Sequence, residues 1–316
     1  MKTILVIAFS LALVGCLNSN KKTNEEEIKI IPEEVVEKPK PIEIRVKKDV
    51  PIRSYFKWMD SIVSEHNQTH NYPIDEYIIV HNNPWIIDTL AHTDYYYLKD
   101  KGIFNEDSQA LNALTKDQIL TIPDSLKTEE LKAQLKATTL ELNIPEFRLR
   151  ILQDGKELYK FPVRVGKVGK KYMEMAQSTV DRRTQPGIGE IIRVNKNPTF
   201  RNPLNNHKYV RTNRDDGKNT ALPAIPWLEP AINGRRLGQL IHPTTNLATL
   251  DKASSNGCVG LRESDAWIVY CYAPIGTKVV FKYELVGKND AGETVEFKNI
   301  YPGFEKIKLK NISSEL

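Results

Sequence analysis

The sequence predicts a mainly β, mostly antiparallel domain with one short helix near its end, preceded by a small α+β region. From residue 138 onward apolar residues alternate with polar ones, the period of a strand with one buried face. The pair Asp154-Gly155 divides two such stretches and supplies a tight turn. Upstream, residues 53–66 repeat their apolar positions at helical spacing instead. A length of 316 residues suits about two domains. With 40% hydrophobic and 27% charged residues, the chain is neither wholly disordered nor a polytopic membrane protein. A net charge of +5 over this length gives no sign of a nucleic-acid partner. Three cysteines are too few for a disulfide scaffold, and an odd count leaves at least one for another task.

The elements follow in chain order. Lys2 and the apolar run 4–13 have the polarity of a signal peptide over 1–15, too short to span a bilayer. The run ends in Leu13-Val14-Gly15-Cys16, which resembles a bacterial lipobox. That resemblance implies a lipid on Cys16 and an anchor to a membrane of the cell envelope, facing the periplasm or wall. Residues 16–49 mix Lys, Glu and Pro with few aromatics, which predicts a flexible tether. The next domain is placed at 50–137. Within it, Ile52, Tyr55, Phe56, Met59, Ile62 and Val63 predict a helix over 53–66. The β-branched and aromatic stretch 76–80 predicts a strand, 84–90 a short helix and 127–136 a helical connector. This order, closing on Gln118-x-Leu120-x-Ile122-Pro123, resembles a LysM glycan-binding module; an α+β cap particular to this protein fits the same residues. Tyr95-Tyr96-Tyr97 is read as core and rim of that domain in preference to a sugar-stacking platform.

In the β domain, Phe147, Leu149 and Ile151 alternate with Arg148 and Arg150, and Phe161, Val163 and Val165 with Pro162 and Arg164. Together with the intervening turn they predict a hairpin. Further strands are expected at 189–194, 237–241 and 278–283, and a helix at 265–272 capped by Ser264 and ended before Pro274. Just ahead of that helix stands Ser254-Ser255-Asn256-Gly257-Cys258-Val259-Gly260-Leu261-Arg262, and before it Ile241-His242-Pro243-Thr244. A thiol beside a helix N-terminus would have its pKa lowered by free backbone N–H groups, and a His at a strand end can serve it as general base.

The pair His242-x-Thr244 and Ser255-x-Gly257-Cys258 is similar to the active-site motif of the L,D-transpeptidase catalytic domain, the YkuD type. Supporting phrases are Asn143-x-Pro145-Glu146-Phe147, Val165-Gly166-Lys167, Thr184-x-Pro186-Gly187-x-Gly189, Asn197-Pro198-Thr199-Phe200 and Pro274-x-Gly276-Thr277. The resemblance places a catalytic domain at 138–285, with an extension over 286–316 carrying a hairpin around Asp290-Ala291-Gly292. It implies a β-sandwich fold and a Cys258 nucleophile that attacks the carbonyl before a terminal D-Ala of peptidoglycan stem tetrapeptides. His242 would act as base and acid, and backbone N–H groups of Gly257 and Cys258 would hold the oxyanion. The acyl group would pass to an amine, giving a 3-3 cross-link, to water, or to a protein Lys. Thr244, Ser255 and Asn256 would orient His242 or substrate, with no metal or other cofactor.

Two positions depart from the family pattern. Asn256 stands where His is common, and Gly260 stands where an Arg or Asn is common, so the positioning Arg is either missing or supplied by Arg262. Cys271 reads as a buried small residue. Two other readings stay open on sequence alone: a sortase-like Cys transpeptidase, and a non-catalytic envelope lipoprotein that binds peptidoglycan.

Overall fold

In the computed structural model, residues 42–289, 291–307 and 309 are described. The expected signal peptide, Cys16 and the expected tether as far as residue 41 lie outside the described residues, as do residues 290, 308 and 310–316.

The fold starts earlier than expected. Ile42, Ile44 and Val46 alternate with Glu43 and Arg45, and β1 (Ile42–Arg45) pairs antiparallel with a strand at Ile119–Ile122. Residues 42–49, read as tether, are therefore part of the folded unit. β2 (Val50–Pro51) leads into α1 (Ile52–Thr69), which buries Ile52, Tyr55 and Met59 as its periodicity requires. The segment 76–80 is helical and not a strand: α2 (Glu76–Asn82) is opened by Asp75, whose carboxylate accepts the Ile78 N–H at 2.9 Å. Ile78, Ile79 and Val80 are all buried, so packing on several sides overrides their β preference. The strand needed for the LysM likeness is absent at that place. α3 (Trp85–Ala91), α4 (Tyr95–Asp100), β3 (Asn112–Leu114), β4 (Ile119–Ile122) and α5 (Ser125–Lys136) complete the region.

The β region comprises β5 (Thr138–Asn143), β6 (Arg148–Gln153), β7 (Lys156–Gly166), β8 (Lys170–Met173), β9 (Ser178–Asp181), β10 (Gly187–Asn195), β11 (Arg211–Asn213) and β12 (Asn219–Ala221). It continues through β13 (Trp227–Ile232), β14 (Arg235–Arg236), β15 (Ile241–Pro243), β16 (Ala253–Ser255), β17 (Val259–Leu261), α6 (Glu263–Tyr272) and β18 (Lys278–Lys282). β19 (Val286–Lys288) and β20 (Thr294–Glu296) form the expected C-terminal hairpin. The main sheet runs β10-β18-β5-β6-β7-β17-β15-β13-β14, and an added β10–β13 pairing closes it on itself, a mainly β barrel-like sandwich. Most pairs are antiparallel, but β15–β17, β5–β18 and β7–β16 are parallel. The expected strand at 237–241 sits later, at Ile241–Pro243.

α6 is apolar nearly all round, which suits a helix enclosed on both sides. It packs against α2 and α3. Trp267 and Tyr270, each 1% exposed, meet Phe56 of α1 at 6.2 and 5.8 Å between ring centroids. Burial of side chains this size contributes about 1.5–3 kcal/mol each. Cys271 lies buried on this helix as a free thiol. Arg262, not Ser264, is the N-cap, and Asp94 of the preceding region supplies the acceptor: its Oδ2 receives the Ser264 N–H at 2.9 Å while its Oδ1 caps α4. The C-terminal extension also supports the barrel, for Tyr301 is fully buried and its hydroxyl donates to the Gly166 carbonyl at the end of β7.

Candidate active site

Three adjacent strands build the site. β17 pairs parallel with β15, placing Gly260 opposite His242, and antiparallel with β7, placing Gly260 opposite Arg164. Val259, Leu261, Ile241, Val163 and Val165 point to the core, each at most 1% exposed. By alternation His242, Gly260 and Arg164 share the other face, and Cys258, two residues before Gly260, joins them. The parallel pairing of β15 and β17 thus brings Cys258 and His242 to one face although 15 residues separate them in the chain.

A compact turn presents the thiol. The Ser255 hydroxyl accepts the Gly257 N–H at 3.1 Å and donates to the Cys258 carbonyl at 2.6 Å. Gly257 has φ +116°, and a Cβ there would press on the Gln239 side chain, so a glycine is required. Thr184 receives the Gly166 N–H at 2.8 Å and donates to the Gly257 carbonyl at 2.9 Å, tying the turn to β7. Because the Gly257 N–H is already bound by Ser255, it is not available to an oxyanion, contrary to the sequence expectation. Among the described residues no acceptor is found for the Cys258 N–H, which remains the candidate donor.

Cys258 does not sit at a helix N-terminus either. β17 separates it from α6, and burial raises the thiol pKa, opposed by the Leu240 N–H, which donates to Sγ at 3.4 Å, and by the charge of Arg164. His242 donates from Nδ1 to the Pro243 carbonyl at 2.8 Å, which leaves Nε2 without a proton and able to act as base. Burial, then the Arg164 charge, lowers its pKa to about 4, with the Pro243 hydrogen bond working the other way. The free site therefore pairs a neutral thiol with a neutral imidazole at pH 7.

Trp227 of β13 lies against His242 at 5.4 Å, and Phe200 packs edge-on to Trp227 at 4.8 Å, with Tyr209 at 6.0 Å from Phe200. These aromatics bring the β10–β13 connection, which contains the Asn197-Pro198-Thr199-Phe200 phrase, to the rim of the site.

The remaining expected site residues divide by position. Ser255 shapes the turn. Asn256 is half-buried within it. Thr244 is buried and its hydroxyl closes a local turn with Asn246 at 3.3–3.4 Å, so it supports the end of β15 and does not orient the His242 ring. Arg262 is held by the buried Asp94 at 3.4 Å, which turns it toward α4. The residues missed on sequence are Arg164, Leu240, Thr184, Gln239 and Trp227. One signal pointed to the first of them: a glycine within a strand marks a close approach, and Gly260 is where Arg164 passes.

The family model of the YkuD L,D-transpeptidase catalytic domain matches residues 137–281. No curated protein matches. Among solved structures, an L,D-transpeptidase from Mycobacterium smegmatis aligns at 15% identity and TM-score 0.32 over 46% of this chain and 58% of its own. An L,D-transpeptidase from Xylanimonas cellulosilytica aligns at 13% identity and TM-score 0.33 over 78% of this chain and 100% of its own. The chain thus spans less than two thirds of the first of these. Residues 137–281 are thus similar to the L,D-transpeptidase catalytic domain of the YkuD type.

Proposed function

We propose that the protein is a peptidoglycan L,D-transpeptidase with Cys258 as nucleophile and His242 as general acid and base. The observation that supports it most is their arrangement: the thiol and a ring whose Nε2 is unprotonated share one face of two paired strands inside the matched domain.

As the Cys258 sulfur attacks the carbonyl before a terminal D-Ala, its proton passes to His242 Nε2 and the S–C bond forms. The oxyanion of the tetrahedral intermediate is met by the Cys258 N–H, a donor worth about 3 kcal/mol in such sites. Collapse breaks the C–N bond, and the imidazolium returns its proton to the departing amine of D-Ala. The thioester then transfers its acyl group to the amine of a second stem peptide, giving a 3-3 cross-link, or to water. A lipid on Cys16 would hold the enzyme to an envelope membrane within reach of this polymer. Gly260, the departure that most favoured a non-catalytic wall-binding protein, has a reason in the packing of Arg164, so the catalytic reading is preferred.

Incubation of the purified protein with disaccharide tetrapeptides is expected to release D-Ala and yield cross-linked dimers or tripeptides. Cys258→Ala and His242→Ala are each expected to abolish release. Absence of D-Ala release from the native protein with amine acceptors supplied would overturn the proposal.

A further inference from the structure

Arg164 is an uncommon side chain in this fold. It is partly buried on the site face of β7, and its Nε, fully buried, has no hydrogen-bond partner among the described residues. Its one hydrogen bond is long, from Nη1 to the Thr249 hydroxyl at 3.4 Å. The charges it feels are those of Cys258 and Tyr209, and it acts in turn on His242. No carboxylate among the described residues is found to pair with it. An ion withdrawn from water without a counter-charge is costly, and a folded chain tolerates one where a ligand supplies the missing partner. The route of the side chain is also built in: a Cβ on Gly260 would fall 2.4 Å from Arg164 Nε and 2.7 Å from its Cγ, so β17 leaves the space open.

From this geometry we infer that Arg164 is the residue that recognises a carboxylate of the donor peptide and seats its scissile carbonyl over Cys258. A guanidinium presents paired N–H groups that match a carboxylate in a fork, which suits a peptide bearing free carboxylates beside the cleaved bond. Arg262, the candidate read from sequence, has the buried Asp94 carboxylate as a counter-charge at 3.4 Å, which Arg164 lacks. The inference deepens the transpeptidase reading and rests on it for the identity of the peptide. Two carboxylates lie near the bond in such a donor, one at the C-terminus of the leaving D-residue and one on the side chain of the acyl residue. Gly260 contributes by its lack of a side chain.

The test compares the donor peptide with two analogues, each carrying one of the two carboxylates as a carboxamide. Binding to the Cys258→Ala protein is measured by calorimetry, and kcat and KM by D-Ala release from the active protein. With Arg164 intact, one amide is expected to bind about 10- to 100-fold more weakly than the acid. In Arg164→Gln the acid is expected to fall to the level of that amide, with KM raised and kcat changed less. Gly260→Ala, which displaces the guanidinium without removing its charge, is expected to reproduce the KM effect and to add little in an Arg164→Gln background. Which amide shows the loss identifies the carboxylate. If native and Arg164→Gln proteins discriminate acid from both amides equally, the inference is overturned. Failure of D-Ala release by the native protein would instead defeat the transpeptidase reading, and the binding comparison would still decide the role of Arg164.

Discussion

Arg214 is buried and Arg164 partly buried, and their surroundings differ in every respect. Arg214, with its side chain 1% exposed, donates to Glu263 at 2.6 Å and to the Thr220 hydroxyl at 2.9 Å, and lies over the Tyr95 ring at 4.2 Å. Arg164 faces Cys258 and His242 with a single long contact. The first joins the β11–β12 hairpin to the start of α6, where Tyr96 donates to Asp215 and Lys99 to Asp216 at 2.6 Å. Its donors are used within the fold, whereas those of the second are left for something else. A charge completed by its neighbours is structural; on the inference above, the charge left incomplete beside Cys258 is kept for substrate.

The contrast can be broken experimentally. The largest effect is expected at Glu263→Ala, which leaves Arg214 buried without a counter-ion and should cost about 3–5 kcal/mol of stability in urea unfolding. The folded fraction should keep its KM. At Arg164→Gln the division reverses: the unfolding midpoint should be unchanged or higher, because an unpaired buried cation is removed, while KM rises. A loss of stability as large as that of Glu263→Ala would make Arg164 structural after all. A smaller effect, about 1 kcal/mol, is expected for Tyr96→Phe, which removes one hydrogen bond to the Asp215 carboxylate while leaving the ring packing in place.

A pH profile sharpens the same comparison from the site. His242 is held neutral above about pH 4, so the acid limb of kcat/KM should fall near that value, well below the ordinary imidazole range. Since the Arg164 charge contributes to that depression, Arg164→Gln should move the limb upward, and Glu263→Ala should not. The sign is set by the direction of the shift: protonation inactivates the base, and a lower pKa extends activity toward acid.

Much of this could be read before any coordinates. The alternation of Phe147, Leu149 and Ile151 located the first hairpin, the spacing from Ile52 to Val63 located α1, and His242 and Cys258 were legible from their motif. What was missed has common causes. Residues 76–80 have strand chemistry but are buried on all sides, and periodicity cannot separate a buried strand from one turn of a buried helix. Ser264 looked like a cap, yet the capping carboxylate, Asp94, comes from 170 residues earlier. Alternation assigned Arg164 to the polar face of its strand, but it carries no information on whether that face meets water or the Cys258 thiol.

The central claim is covalent chemistry at Cys258 directed by His242. Its most direct measurement is the intact mass of the protein after rapid mixing with donor tetrapeptide. The account predicts a thioester adduct equal to the donor less D-Ala, mapped to Cys258, absent in Cys258→Ala and formed far more slowly in His242→Ala. No adduct on the native protein while D-Ala is released, or an adduct that persists in Cys258→Ala, would contradict it.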